Sequence, residues 1–392
     1  MLIIKNAIVN TVSGGTIEKG FVAINDEKIL KTGSMPVPEE LGKGAEFIDA
    51  NGMQLYPGFI DAHSHLGMWE DAIGFEGSDG NESVDPVTPQ MRAIDAINPM
   101  DRTFEEARAG GITATATGPG SANVIGGQFA VVKTWGICID DMIVKAPCAI
   151  KCAFGENPKR TYNDREESPV TRMGTAALLR ENFIKAKDYV EKKRLAETDE
   201  DADKPDFDFK MESLVDVIEK KLPIKAHAHR ADDIMTAIRI AKEFDLDMTI
   251  EHCTEGHLIV DCLKKENFAP IVGPSLSERS KFELKNLTFK TPGILSNAGI
   301  KIAIMTDHPV IPIQYLPLCA SLAVKAGMKR LDAIKAITIN AAEIIGVGDR
   351  LGSIDEGKDA DLVLWDRDPF DAHSEVLWTM IDGKVVYKNS GK

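Results

Sequence analysis

The chain has 392 residues, 43% hydrophobic and 27% charged, and its 61 acidic against 46 basic side chains give a net charge of −15. That length exceeds one small core and fits a large barrel or sheet with a smaller unit attached. The acidic balance disfavours phosphate-backbone and anionic-membrane binding, and no apolar run approaches the ~18 residues of a membrane helix.

The opening M-L-I-I-K-N-A-I-V-N is broken by Lys5 and carries neither a basic leader nor a small-residue cleavage site, so a cytoplasmic protein is expected. Six scattered cysteines with no C-x-x-C pair read as reduced, mostly buried thiols. The first fifty residues alternate short β-rich runs with turns, as do the last thirty-five or so, where W-T-M-I-D-G-K-V-V-Y folds about an Asp-Gly turn. The two ends are expected to pair into one small β-sandwich, from residues 1–55 and 351–392, flanking a central domain over 56–350.

In that central part short apolar runs alternate with amphipathic segments, the mark of βα units and a parallel sheet. Strands are predicted at F-I-D-A-H-S-H, I-T-A-T-A-T, Q-F-A-V-V-K, A-I-K-C-A-F, P-I-K-A-H-A-H, D-M-T-I-E-H, F-A-P-I-V-G and I-K-I-A-I-M-T-D, with M-I-V-K an alternative for the third. Eight runs predict an α/β fold of the (β/α)8, or TIM, barrel class. Helices are expected over 102–109, 174–195, 211–221, 231–244 and 331–345. The acidic stretch 197–208 reads as a solvated loop, since like charges repel and resist packing.

Barrel folds place their chemistry where the carboxyl ends of the strands converge. The first predicted strand ends His63-Ser64-His65, and period-two alternation sends both imidazoles to one face. The fifth ends His227-Ala228-His229, the sixth Glu251-His252 and the eighth Thr306-Asp307-His308; six of the eight histidines thus fall at strand ends. A lone histidine is more often a satisfied core or surface residue than a ligand, but coincidence at four strand ends points to a cation. Imidazole with carboxylate oxygen suits zinc, with iron or manganese as alternatives, and ligands scattered across a barrel suit an open catalytic site.

P-G-F-I-D-A-H-S-H-L, followed in order by H-A-H, E-H and T-D-H elements, resembles the amidohydrolase superfamily over essentially the whole chain. I-K-C-A-F-G-E-N-P-K and A-H-A-H-R-A-D-D-I are most similar to its branch related to imidazolonepropionase and metal-dependent dipeptidases. The resemblance implies one or two divalent metals. His63 and His65 would bind the more buried ion and His227 and His252 the second, while Asp307 would bind the first and act as acid and base. The fourth strand would then supply a bridging anion.

That strand carries Lys151 inside an apolar run. Its bland reading is a snorkelling side chain, and a protonated ammonium, with three donors and no lone pair, cannot be a ligand. A neutral amine that captures carbon dioxide becomes a carbamate with two bridging oxygens, and the resemblance puts Lys151 where such a carboxylated lysine stands. Glu156, after a glycine and before Asn157-Pro158, is the rival ligand, although its surroundings read as turn.

The implied reaction is hydrolysis of an amide-like C–N bond in a small molecule, such as an N-acyl amino acid, a dipeptide or a cyclic amide. His229 is expected to face substrate or support the ligands, His308 to orient neighbours, and Arg230 to clamp a substrate carboxylate. A homo-oligomer is expected, with neither nucleic acid nor membrane as partner. The alternatives are a one-metal deaminase or imidazolonepropionase-like enzyme, and a non-catalytic scaffold. Against the deaminase, Arg230-Ala231-Asp232-Asp233 follows His229 where such enzymes tend to carry a glutamate; against the scaffold, every expected ligand position is filled.

Overall fold

The computed structural model describes residues 1–71 and 74–391. Among these, the chain opens with strands β1 (Leu2–Asn10), β2 (Thr16–Asn25), β3 (Lys28–Ser34), β4 (Glu46–Asp49) and β5 (Gln54–Pro57). The middle supplies β6 (Phe59–Ser64), β7 (Ile112–Thr117), β8 (Ile125–Lys133), β9 (Ile143–Ala153), β10 (Ile224–Ala228), β11 (Met248–His252), β12 (Ala269–Val272) and β13 (Ala303–Ile304). The end supplies β14 (Leu362–Trp365), β15 (Val376–Ile381) and β16 (Lys384–Lys388).

The two ends of the chain join. β14 pairs antiparallel with β5, from Leu362 opposite Pro57 to Trp365 opposite Gln54, within a sheet ordered β16-β15-β14-β5-β1-β2-β3, and β4 pairs β1. Ile4, Val9, Val22, Leu55, Leu362 and Met380 share one apolar cluster, so burial on both sides of the junction favours this pairing. The middle domain is fastened to this sheet by Lys133, at the end of β8. Its ammonium lies 3.0 Å from Asp359, 2.7 Å from Asp361 and 3.0 Å from Asp382.

All eight predicted central strands belong to one sheet, ordered β6 to β13. β6, β7, β10 and β11 are buried at every residue, as expected where both faces of a strand are covered. One expectation is corrected: β8 runs antiparallel to both β7 and β9, so the sheet is not wholly parallel. The seven residues 118–124 between β7 and β8 are too few for a crossover, which needs a dozen or more. The M-I-V-K run then opens β9 instead of replacing β8.

The barrel is nearly closed. β13 is two residues long, and the seam to β6 is bridged from single groups instead of a ladder. The Asp61 carboxylate accepts from the Thr306 amide at 3.0 Å, and the His65 amide donates to the His308 carbonyl at 2.9 Å. The strand ends carrying His65 and His308 are thereby tied together.

The helix Ala231–Phe244 forms as expected and stops at Asp245, whose φ of 57° is left-handed. Arg172–Thr198 is capped by the Thr171 hydroxyl, which accepts from the Gly174 amide at 3.0 Å. Two predicted helices are broken. The 211–221 segment splits into Phe209–Glu212 and Val215–Ile218, and 331–345 splits into Arg330–Ala336 and Ile339–Ile344. In the second case Thr338 leaves helical geometry, and its hydroxyl donates back to the Ile334 carbonyl at 2.6 Å. Among the described residues no helix is long and apolar enough to cross a membrane.

Candidate metal centre

His63 stands next to the end of β6 with His65 just beyond it, Lys151 stands in β9, His227 in β10 with His229 following, and His252 ends β11. Asp307 follows β13. Strand register brings them together: Lys151 is opposite Lys225, His227 opposite Glu251, and Ala228 opposite His252. Their donor atoms form two buried groups, His63, His65 and Asp307, and His227, His229 and His252, each set lying within 4.8 Å. All of these but His63 floor a cavity of about 370 Å³ whose wall includes Trp69, Ser121, Asn157 and Lys281.

The imidazoles are oriented from behind. His65 Nδ1 lies 2.6 Å from the Gly118 carbonyl and His252 Nδ1 2.9 Å from that of Gly273. His63 Nδ1 is 2.6 Å from Glu251, and His229 Nδ1 is 2.7 Å from the Thr254 hydroxyl. A carbonyl can only accept, so Nδ1 of His65 and His252 carries the proton and Nε2 presents a lone pair, the outer-shell arrangement of metal-binding histidines. Burial foremost holds His63, His227, His229 and His252 well below the usual imidazole pKa, leaving them in the neutral form that binds cations.

Asp307 faces this array, with Oδ1 3.2 Å from His65 Nε2 and 3.6 Å from His63 Nε2. Burial would raise its pKa, but the adjacent His65 ring and the Lys151 charge hold it below the ordinary carboxylate value. Neither ring nitrogen of the buried His227 nor Oδ1 of Asp307 has a hydrogen-bond partner among the described residues. Buried polar atoms left open cost stability, and a divalent ion is what these would satisfy. The residues therefore fit a metal.

Lys151 is fully buried, with Nζ 3.0 Å from His63 Nε2, and burial foremost lowers its pKa to about 8. Its charge does not snorkel. Beneath it Lys225 lies 3.2 Å from Glu251 and donates to the Ala62 carbonyl at 3.1 Å.

Other sequence candidates fall outside the cluster. Glu156 begins the helix Glu156–Asn163, and its carboxylate accepts from the Glu283 amide at 3.4 Å instead of facing the imidazoles. Arg230 is turned away, paired in two-pronged fashion with Asp232 at 2.9 and 2.7 Å and stacked over Phe282. His308 is buried behind the site, where Nδ1 accepts from the Ile313 amide at 3.3 Å, and burial lowers its pKa to about 4. His229, expected to face substrate, joins His227 and His252.

Two residues of the site had no signal in the sequence. Glu283, in the loop after β12, is fully buried with Oε1 3.6 Å from His229 Nε2 and 3.8 Å from His227 Nε2. Lys281, beside it, presents the cation that Arg230 does not bring to the cavity. Both lie in S-E-R-S-K-F-E-L, which reads as an ordinary solvated turn.

Fold and site together are those of a barrel enzyme whose mouth gathers histidine and aspartate groups that could hold a metal ion. Residues 55–386 match the model of the amidohydrolase family, and the chain belongs to that family. It is a hydrolase acting on carbon–nitrogen bonds. The crystal structure of an amidohydrolase from Thermotoga maritima is similar at 45% identity and a TM-score of 0.95, covering 99% of this chain and 100% of that one. An imidazolonepropionase of Caldanaerobacter subterraneus is 26% identical over 386 residues, 91% of this chain and 86% of that protein. The amidohydrolase tasK of Hapsidospora irregularis is 28% identical over 396 residues, 95% of this chain, which spans 39% of that protein's length.

Proposed function

We propose that the protein hydrolyses an amide-like C–N bond of a small molecule with two divalent ions, zinc foremost. His63, His65 and Asp307 would hold the first, His227, His229 and His252 the second, and Lys151, carboxylated on Nζ, would supply an anion to both. The carrying observation is the pair of buried donor groups on either side of a fully buried lysine. Such ions lower the pKa of water and polarise the carbonyl it attacks.

The chain's own residues do the rest. Asp307, ionised and unbonded at Oδ1, accepts the proton of the attacking water and delivers it to the leaving nitrogen. Trp69, edge-on to His65 with ring centroids 4.8 Å apart, walls the cavity. Lys281 supplies a positive charge for a substrate carboxylate, in place of Arg230. N-acyl amino acids and dipeptides fit that charge. The two ends of the chain, 1–55 and 351–392, form the accompanying sandwich around their shared apolar cluster, with the barrel domain between them.

A one-metal reading, opening of a cyclic amide, draws on the likeness to imidazolonepropionase. It leaves one donor group without a role, and the two-ion reading is preferred. No observation favours a scaffold.

The test is metal analysis of the purified protein followed by a screen of N-acyl amino acids, dipeptides and small cyclic amides. Two ions per chain and metal-dependent release of an amine or amino acid are expected. Activity confined to cyclic amides with one ion would replace this reading with the alternative.

A further inference from the structure

We propose that Glu283 is a further anionic ligand of the second cation site, joining His227, His229 and His252 beside the bridging Lys151. Oε1 of Glu283 stands 3.6 and 3.8 Å from Nε2 of His229 and His227. Donors arranged tetrahedrally at zinc's usual bond lengths are about 3.4 Å apart, so a small inward movement closes the set. The side chain is fully buried, and Oε1 has no hydrogen-bond partner among the described residues.

Its partner oxygen explains the aim. Oε2 accepts from the Glu156 amide at 3.0 Å, and the Glu156 carboxylate in turn accepts from the Glu283 amide. Gly155, at a φ of 80°, lets the chain pass there; a Cβ on it would lie 2.8 Å from Oε2. Glu156, the rival to Lys151 as bridging ligand in the sequence, thus holds the Glu283 carboxylate in place instead.

Charge argues the same way. Three neutral imidazoles and a half-share of one carbamate leave most of a divalent ion's charge uncompensated in a buried site, and a buried charge needs a paired one. A carboxylate oxygen beside two imidazole nitrogens, none of them hydrogen-bonded to it, is a donor set that a cation between them would satisfy. Lys281 Nζ, 3.5 Å from Oε1, offers a competing account in which Glu283 only forms an ion pair. The shorter bond of Lys281 is to Asn157, whose Oδ1 accepts from it at 2.8 Å.

The proposal rests on the two-ion reading, and zinc titration of the metal-stripped protein against a chelator, read as stoichiometry and affinity, separates the two. Wild-type protein is expected to take two ions. Glu283→Gln is expected to keep one and bind the other more than about 100-fold more weakly, beyond what an outer-shell partner contributes. Glu283→Asp should recover part of that affinity, and Lys281→Met should retain both ions. Two ions bound with unchanged affinity by Glu283→Gln, or an equal loss in Lys281→Met, would overturn the proposal and leave the two-ion reading standing. Fewer than two ions in wild-type protein would remove both. Should Glu283→Gln fail to fold, the circular dichroism will show it, and the Glu283→Asp and Lys281→Met arms decide.

Discussion

Nζ of Lys151 lies 3.0 Å from Nε2 of His63, both fully buried, so the lone pair of a candidate ligand points at the lysine nitrogen. An ammonium there would hold that lone pair and repel an incoming ion. Metal uptake and a protonated Lys151 are therefore incompatible, whereas a carbamate turns the obstacle into a ligand. Stripping the metal should abolish hydrolysis, and reloading should be faster and more complete with bicarbonate than in carbon-dioxide-depleted buffer. Recovery that ignores bicarbonate would count against the carbamate. Lys151→Ala should recover no second ion with or without bicarbonate.

Glu251 reaches His63 from behind, 2.6 Å from Nδ1, while Lys225 at 3.2 Å balances its charge. A carboxylate behind a ligating histidine fixes its tautomer and raises its basicity, and losing such a partner costs about 10–100-fold in metal affinity. Glu251→Gln should show a loss of that size at the first site by chelator competition, with the second site unchanged. Equal weakening of both sites would mean that Glu251 acts through the fold of the mouth instead of through His63.

Asp307 is the carboxylate placed to move a proton, with Oδ1 open and 3.2 Å from His65. Asn keeps the shape and removes the basicity. Asp307→Asn should lower kcat by about 10²–10⁴-fold, the usual contribution of a positioned acid or base. Steady-state hydrolysis of a substrate from the screen measures it, with zinc content at the first site, which Asp307 helps to hold, as the control. Near-normal kcat would assign proton transfer elsewhere.

Much of this centre was legible because strands impose period two. His63 with His65 and His227 with His229 advertise a shared face, and their positions at the ends of apolar runs place them at one mouth. What was hidden depends on loops. Nothing in S-E-R-S-K-F-E-L distinguishes the buried Glu283 from a solvated acid, because its burial comes from packing against the loop after β9, over a hundred residues away in sequence. Arg230 misled for the converse reason. It adjoins the histidine motif, but Asp232 two residues on captures its guanidinium. The reversal of β8 was readable only from the shortness of 118–124, a count that apolar patterning does not make.

The last prediction concerns the fastening of barrel to terminal sheet. Lys133 is buried among Asp359, Asp361 and Asp382, and three carboxylates around one ammonium make its loss costly. Removing one partner of a buried ion cluster typically costs about 3–5 kcal/mol, so Lys133→Met should unfold at clearly lower denaturant concentration at pH 7. The pH dependence follows from Asp359. Burial pushes its pKa up, but Lys133, with the bonds from Lys28 and Arg350, draws it down to about 2, below the roughly 3.9 of an unfolded aspartate. A depressed pKa means that the folded state binds fewer protons, so this stabilisation is complete above about pH 4 and is lost as pH falls towards about 2. Asp361 shifts the opposite way, upward, because burial outweighs Lys133. Without the lysine both acids gain by protonation, and the gap between wild-type and Lys133→Met should narrow on acidification below about pH 4. Denaturant titrations at pH 7, 5 and 3.5 measure that gap; a constant or widening gap would show that the cluster is held by packing and not by charge.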